Sequence, residues 1–306
     1  MALGRAARRQ TAVERSLVLL LGSPRTGSTW LLNLLLADPG VATMDEPLVG
    51  AHLGLSAAAS LGMGGTTPAR AERTRAYDRH QGRDDYFFAE RSRAAWAPAL
   101  RALLLARFED QLVRAGRSPG RDLLVVKEPH GSEAADLLSS ALPGARLLVL
   151  VRDGRDVVDS LLDALAPGSW ASDVATVDDL PGRRRAFLEE AALAWVERMR
   201  VVEEARAGHD QERVRVVQYE ALLAEPLQGL RDVFGWLGRP EPEGLQQHVE
   251  RLAFEAVPAE LRGPGRFHRA ATPGLWREHL TADEQQLLDD LMGPALTRLG
   301  YEVSAP

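Results

Sequence analysis

Leu19-Leu-Leu-Gly-Ser-Pro-Arg-Thr-Gly-Ser-Thr-Trp-Leu31 is the stretch on which the reading of this chain turns. An apolar run, Leu17 to Leu21, leads into Gly22-Ser-Pro-Arg-Thr-Gly27, and a second apolar run, Trp30 to Leu36, has the length and composition of a helix. Strand, tight loop and helix start are the parts of a phosphate-binding loop, in which loop N–H groups and the helix N-terminus point at one anion. Gly22 and Gly27 allow the bend and the close approach of backbone to ligand. The spacing from Gly22 to Gly27 mimics the Walker A pattern, with Ser28-Thr29 where Lys-Ser/Thr would stand. The lysine that reaches the β- and γ-phosphates of ATP is missing, and a cation sits inside the loop instead, at Arg25. Such a loop suits a phosphoanion other than a triphosphate. The plain alternative is a tight turn with an exposed arginine.

A second segment has the same build. Leu147-Leu-Val-Leu-Val151 is a continuous apolar run, the pattern of a strand buried on both faces. It ends in Arg152-Asp-Gly-Arg-Asp-Val-Val-Asp-Ser160. Arg152 stands at the carboxyl end of that strand, where open α/β sheets bind ligands, and Ser160 falls about two turns into the next helix. Arginine's planar fork and a serine hydroxyl are a natural pair for a phosphate. Further strands are expected at Ser16–Leu21, Leu123–Val126 and Val214–Val217. Helices are expected at Trp30–Leu36, Trp96–Ala115, Ser132–Ala141, Val157–Leu165, Arg185–Ala207, Leu227–Leu237, Leu245–Arg251 and Ala282–Arg298. Strands alternating with helices imply an α/β fold with a parallel sheet flanked by helices.

The 306 residues fit one α/β domain, 1–306, with no stretch that reads as a linker or a repeat. Residues 50–95 and 166–184 are expected to be mobile substrate-side segments: the first is Ala/Gly/Ser-rich and then arginine-dense with Tyr77, His80, Tyr86, Phe87 and Phe88, and the second carries Pro167-Gly168 and Pro181-Gly182. A net charge of −6 gives no electrostatic support for nonspecific nucleic-acid binding. Zero cysteines removes disulfides, thiolate catalysis and zinc–thiolate sites. The N-terminus is basic without a signal-peptide apolar stretch, and no run approaches the ~20 apolar residues of a membrane span. The expected location is the cytoplasm, with no membrane or nucleic-acid partner; a homodimer is compatible with the sequence.

Pro24-Arg-Thr-Gly-Ser-Thr-Trp30 and Val151-Arg-Asp-Gly-Arg-Asp-Val-Val-Asp-Ser160, together with Val214-Arg-Val-Val-Gln-Tyr-Glu-Ala-Leu-Leu-Ala-Glu-Pro226, resemble in order and spacing the sulfotransferases that use 3′-phosphoadenosine 5′-phosphosulfate (PAPS). The resemblance covers residues 15 to 230 and implies the family's P-loop-like fold. It implies PAPS as co-substrate, 3′-phosphoadenosine 5′-phosphate (PAP) as product, no metal, and a small-molecule or carbohydrate acceptor. The first motif would hold the 5′-phosphosulfate through Arg25, Thr26, Gly27, Ser28 and Thr29. Trp30 matches an aromatic residue that stacks on adenine, Arg152 and Ser160 match the 3′-phosphate motif, and Tyr219 resembles a tyrosine near the adenine edge. The basic segment Arg262-Gly-Pro-Gly-Arg-Phe-His-Arg269 before Gly274-Leu-Trp-Arg277 is similar to another nucleotide-binding stretch, with Arg266 as a further 3′-phosphate ligand. Arginine at position 25, rather than lysine, is similar to the tyrosylprotein and several bacterial branches.

Sulfuryl transfer needs a cation at the bridging oxygen, donors on the sulfuryl oxygens and a base for the acceptor hydroxyl. Arg25 is the candidate cation, and Lys127 matches a family lysine that contacts the sulfuryl group. Two residues compete as base. Glu46 lies 21 residues beyond Arg25, where a short return from the loop's helix would put it beside the loop, and the tyrosylprotein sulfotransferases use a glutamate at matching spacing. His130 stands in Lys127-Glu-Pro-His130, where cytosolic members have Lys-Thr-His, and is displaced by one place. The competing reading of the whole chain is a P-loop kinase or NTPase; the missing Walker lysine stands against it.

Overall fold

The computed structural model describes residues 2–52, 88–172 and 180–303. Most of the expected mobile segment 50–95, and residues 173–179 of the second, lie outside the described residues. Among these residues five strands form one sheet: β1 (Leu17–Gly22), β2 (Val41–Asp45), β3 (Leu123–Lys127), β4 (Arg146–Val151) and β5 (Val214–Gln218). Their order is β2-β3-β1-β4-β5 and every neighbouring pair is parallel. The helices are α1 (Ala2–Arg15), α2 (Ser28–Leu35), α3 (Val49–His52), α4 (Arg93–Arg114), α5 (Ala135–Ala141), α6 (Gly154–Ala164), α7 (Arg184–Ala207), α8 (Tyr219–Ala224), α9 (Pro226–Leu237), α10 (Leu245–Arg251), α11 (Trp276–His279) and α12 (Ala282–Arg298).

The central strands read as unbroken apolar runs because both faces are covered. Alternate residues go to opposite sides. Leu17, Leu19, Leu21, Leu147, Val149 and Val151 enter a core shared with α4, α5, α6, α7 and α12. Val18, Leu20, Leu148 and Leu150 enter a second core with α2, α8, α9 and α10. The predicted strands and helices are all present, with ends shifted by a few residues.

Five elements were not anticipated: β2, α1 and the short helices α3, α8 and α11. β2 is a five-residue edge strand whose Val-Ala-Thr-Met-Asp composition carries little strand signal, yet it pairs with β3 from Val41 to Asp45. α1 reads in sequence only as a basic N-terminus. It is held by Glu14, whose carboxylate takes both Arg101 guanidinium nitrogens at 2.6 Å and the Gly144 N–H at 2.9 Å.

The carboxyl ends of all five strands fall on one side of the molecule, and each is followed by a residue singled out above: Ser23–Gly27 after β1, Glu46 after β2, the end of β3 and His130, Arg152 after β4, and Tyr219 after β5. This is where parallel sheets build ligand sites.

The C-terminal helices are tied back to this end by a buried arginine. Arg155, at the start of α6, donates to Asp153 at 2.8 Å, to Asp289 of α12 at 2.8 Å and to the Glu302 carbonyl at 2.7 Å, and its guanidinium lies 4.2 Å from the Trp276 ring centroid. Removing one partner of a buried ion pair leaves charges uncompensated. Arg155→Leu is expected to lower unfolding free energy by about 3–5 kcal/mol, read from urea melts. A loss below about 1 kcal/mol would show that the two carboxylates find other partners.

Candidate active site

The loop after β1 follows from two close approaches. A Cβ on Gly22 would lie 2.4 Å from the Leu150 carbonyl oxygen, so only glycine lets β1 end against β4 here. Gly27 has φ 85°, and a Cβ there would lie 2.7 Å from the Tyr219 ring. Between them Thr26 is fully buried and its hydroxyl donates to the Ser23 carbonyl at 2.8 Å, closing the loop on itself. Gly27 then caps α2 without any side-chain bond to the first N–H groups of that helix. Ser28 and Thr29 stand in this first turn, so their N–H groups lie in the region of positive helix dipole.

Arg25 itself adopts a left-handed backbone, φ 67°. Its Nε donates to the Ser160 hydroxyl at 3.1 Å and one terminal nitrogen to the Phe267 carbonyl at 3.1 Å. The guanidinium lies 5.2 Å from both the Trp170 and the Phe267 ring centroids. Arg152 donates to the Arg25 carbonyl at 2.9 Å and stacks 4.7 Å from the Tyr219 ring centroid. Its Nε is buried and has no partner, and it forms no ion pair among the described residues. Trp30 meets Tyr219 edge-on at 6.2 Å and donates its indole N–H to the Leu252 carbonyl at 3.0 Å. Arg25 after β1, Trp30 of α2, Arg152 after β4, Ser160 of α6 and Tyr219 of α8 thus stand together.

The positive charge is concentrated. Burial pushes Arg25 down to about 10, and the Arg152 and Arg269 charges push the same way, while Asp163 and Glu46 oppose them. Arg25 remains a cation at neutral pH. Arg269 is held by Asp159 at 2.7 Å, and Asp163 accepts the Gly265 N–H, which anchors the segment before it. Arg266 is exposed, and its side chain makes no bond among the described residues; Phe267, His268 and Arg269 of the same segment do reach the Arg25 environment. Phe267, Arg269 and Trp170 escaped the sequence reading because each depends on the folding of a loop with no periodicity, though the basic-glycine segment did point to their neighbourhood.

A second cluster adjoins the loop. Lys127, at the end of β3 and 2% exposed, donates to the Thr29 hydroxyl at 2.7 Å and pairs with Asp45 at 2.7 Å and Glu46 at 2.9 Å. The other Glu46 oxygen lies 3.7 Å from His130 Nε2. The two competing candidate bases therefore stand next to each other. Burial holds His130 below its ordinary value, so near neutral pH the imidazole is uncharged. Glu46 has φ 45° and Leu48 φ 55°. Among the described residues, Arg25, Glu46 and Leu48 are the non-glycine residues with left-handed backbone, and such strain collects at functional sites. No group of three or more potential metal-ligating side chains was found among the described residues.

A family model described as the sulfotransferase family matches residues 18–243. No curated protein matches the chain. Among solved structures, mouse sulfotransferase SULT7A1 complexed with PAP is 12% identical with a TM-score of 0.56, over 92% of this chain and 85% of the mouse chain. Sulfotransferase STF9 from Mycobacterium avium is 17% identical with a TM-score of 0.52, over 95% of this chain and 78% of its own. These two share the fold: a parallel sheet with a phosphate-loop-like first turn. With the family model spanning most of its length, including the loop after β1, the segment after β4 and the Lys127 strand, this chain belongs to the sulfotransferase family.

Proposed function

We propose that the protein transfers the sulfuryl group of PAPS to a hydroxyl of a small molecule or sugar by in-line displacement. The observation that carries this reading is the pairing of two clusters at one sheet end: Arg25, Arg152 and Arg269, gathered closely enough to repel one another, and a buried lysine that holds Glu46. The unpartnered Arg152 Nε and the uncapped start of α2 are the donors a phosphorylated nucleotide would use. The PAP held by the mouse fold relative agrees with this choice of nucleotide.

In this reading Ser28, Thr29 and the loop N–H groups hold the 5′-phosphosulfate, Arg152 and Ser160 the 3′-phosphate, and Trp30 and Tyr219 the adenine. The acceptor oxygen forms a bond to sulfur as the bond from sulfur to the bridging phosphate oxygen breaks. The acceptor proton passes to Glu46. Charge developing on the leaving phosphate is met by Arg25, which stays protonated and so acts as an electrostatic stabiliser, and Lys127 adds to the field. Glu46 is favoured over His130 by its strained backbone and by its place on Lys127, with 37% of its side chain open to a substrate. A kinase or NTPase is not favoured, because the loop has no Walker lysine.

Arg152→Ala is expected to weaken PAP binding by about 1.5–3 kcal/mol, as for a charge-assisted hydrogen bond, and to leave adenosine 5′-phosphate binding much less affected. Calorimetric titration with both nucleotides checks it, and equal affinity of the unsubstituted protein for the two would remove the case for a 3′-phosphate site.

Transfer is expected to proceed in EDTA, since side chains and backbone supply the positive field. Activity lost in EDTA and restored by Mg²⁺ would contradict this.

Glu46→Gln keeps the shape and removes the basicity, so turnover should fall by ~10²–10⁴-fold with PAP affinity nearly unchanged. His130→Asn should be mild by comparison. The assay uses labelled PAPS against a panel of phenols, sugars and hydroxylated metabolites; abolition by His130→Asn with activity retained in Glu46→Gln would exchange the two roles.

A further inference from the structure

One buried titratable group has no part in the chemistry above. Glu128 follows Lys127 and is wholly inaccessible to solvent. One of its oxygens accepts the Val49 N–H at 2.7 Å, and the other, Oε2, is buried without a hydrogen-bond partner. The cradle around it is built from missing side chains. A Cβ on Gly131 would fall 1.9 Å from Glu128 Oε2, and a Cβ on Gly50 would fall 2.4 Å from the Gly131 carbonyl oxygen. Gly131 thus closes over the carboxyl and Gly50 packs on Gly131: a side chain at 131 would displace the carboxyl, and one at 50 would displace the Gly131 backbone.

What Glu128 grips is the turn that carries Glu46. The chain leaves β2 at Asp45, takes left-handed backbone at Glu46 and Leu48, and is caught by Glu128 at Val49, the first residue of α3. The Glu46 N–H bond to the Lys127 carbonyl at 3.0 Å fixes the other end of the turn. A strained turn persists only where its surroundings over-determine it, and here the two clamps are consecutive residues of one strand end, Lys127 and Glu128.

The charges around the carboxyl decide its state. The charge acting on it is Glu46, a like charge. Lys127 is directed to Asp45 and Glu46, Glu133 is paired with Arg198 of α7, and His130 is neutral near pH 7. Val49, Gly50 and Gly131 bring no charge. Burial, reinforced by Glu46, raises Glu128 to about 7 against the pull of the Val49 and Gly131 N–H groups.

We propose that Glu128 is a positioning residue for Glu46: as a neutral carboxyl it clamps the Glu46–Val49 turn in its working shape, and on ionisation it loosens that turn. This rests on Glu46 being the base. The sign follows from linkage: a carboxyl whose proton affinity is raised on folding contributes stability at low pH that is lost as pH rises through the folded-state value. Ionised Glu128 holds its charge in a sealed cradle, with the Val49 N–H as its one well-formed hydrogen bond and the like charge of Glu46 acting on it.

The test has one arm that needs no substrate. Thermal midpoints of the unsubstituted protein and of Glu128→Gln, which keeps an acceptor for Val49 and never ionises, are measured from about pH 5 to 8. The unsubstituted protein should lose at least ~3 °C relative to the variant over that range. The second arm measures turnover with labelled PAPS and the best acceptor of the panel for the unsubstituted protein, Glu128→Gln, Glu128→Ala and Glu46→Gln. The ratio of unsubstituted to Glu128→Gln turnover should be constant below about pH 6 and fall several-fold by about pH 8 as the carboxyl ionises. Glu128→Ala, lacking the clamp, should lower kcat about tenfold at every pH with the KM for PAPS within about twofold, since the effect is on a catalytic group and not on nucleotide binding. A turnover ratio that stays flat or rises overturns the positioning role, whatever the melting data show, and leaves Glu46 as base if Glu46→Gln is inactive. Parallel melting curves overturn the titration. Turnover retained in Glu46→Gln overturns the base and this inference with it.

Discussion

An ammonium group shut inside the protein governs the functional end of this molecule. Lys127 is buried, and its nitrogen is shared by Thr29, Asp45 and Glu46. Those partners belong to two separate pieces of chain: the first turn of the helix after the loop, and the junction where an edge strand ends at Asp45 and the strained turn begins at Glu46. A buried ion pair adds little net stability over a well-packed apolar substitute, because desolvation offsets most of the Coulombic gain. What it does impose is geometry, since an ammonium without partners in such a place would be far costlier than one with three. The lysine therefore sets the distance between the loop that would hold the donor and the carboxylate that would take a proton from the acceptor. The short reach of an in-line transfer requires that distance to be held.

The same lysine explains what could be read in the sequence and what could not. The phosphate loop, the strand-end Arg152 and the strand-end Lys127 were legible because each lies directly after a continuous apolar run, and a buried parallel strand writes itself as such a run. The two cores on either side of the sheet follow from alternation within those runs. β2 was not legible: an edge strand with one neighbour needs no unbroken apolar stretch, and Val-Ala-Thr-Met-Asp satisfies its single partner. Without β2 the approach of Glu46 to Lys127 could be argued only from spacing, so Glu46 and His130 stayed as alternatives. The fold shows that they are neighbours. In Lys127-Glu-Pro-His, set against Lys-Thr-His, the pattern displaces the histidine by one place and gives the glutamate no role; the contact of Glu128 with Val49 joins residues 79 apart, which no local pattern announces.

Electrostatics gives the nucleotide site its character against the balance of the whole chain. The protein carries a net charge of −6, yet Arg25, Arg152 and Arg269 are close enough for the other two to lower the proton affinity of Arg25. Mutual repulsion of this kind opposes folding. Part of it is offset on the spot: Asp159 holds Arg269, and Asp163 binds the backbone of the segment that carries it. Arg152 forms no ion pair among the described residues; Asp156 acts on it through space, and its contacts are a carbonyl oxygen and an aromatic face. The clustered positive charge is therefore local, and its Arg25 lies two residues before the cap of α2, a helix start whose dipole has the same sign. An anion with two separated phosphate groups would relieve both at once, which a single phosphate at the loop would not.

The backbone carries the last constraint. Left-handed conformation at a non-glycine residue costs of order 1–3 kcal/mol, and here it occurs at the residue read as cation and in the turn read as base. Glycine substitution would relieve that strain but would remove the side chains concerned. Glycine appears instead at the neighbouring positions where two backbones, or a backbone and a ring, must touch: Gly22 on Leu150, Gly27 on Tyr219, Gly50 on Gly131. The division is a physical one. Close packing around each strained residue is supplied by glycines that need no space. The strained residue keeps its functional group, and the close contacts leave its turn no room to relax into an ordinary conformation. Orientation of the arginine and the glutamate is in this way a property of the backbone path around them as much as of their own hydrogen bonds.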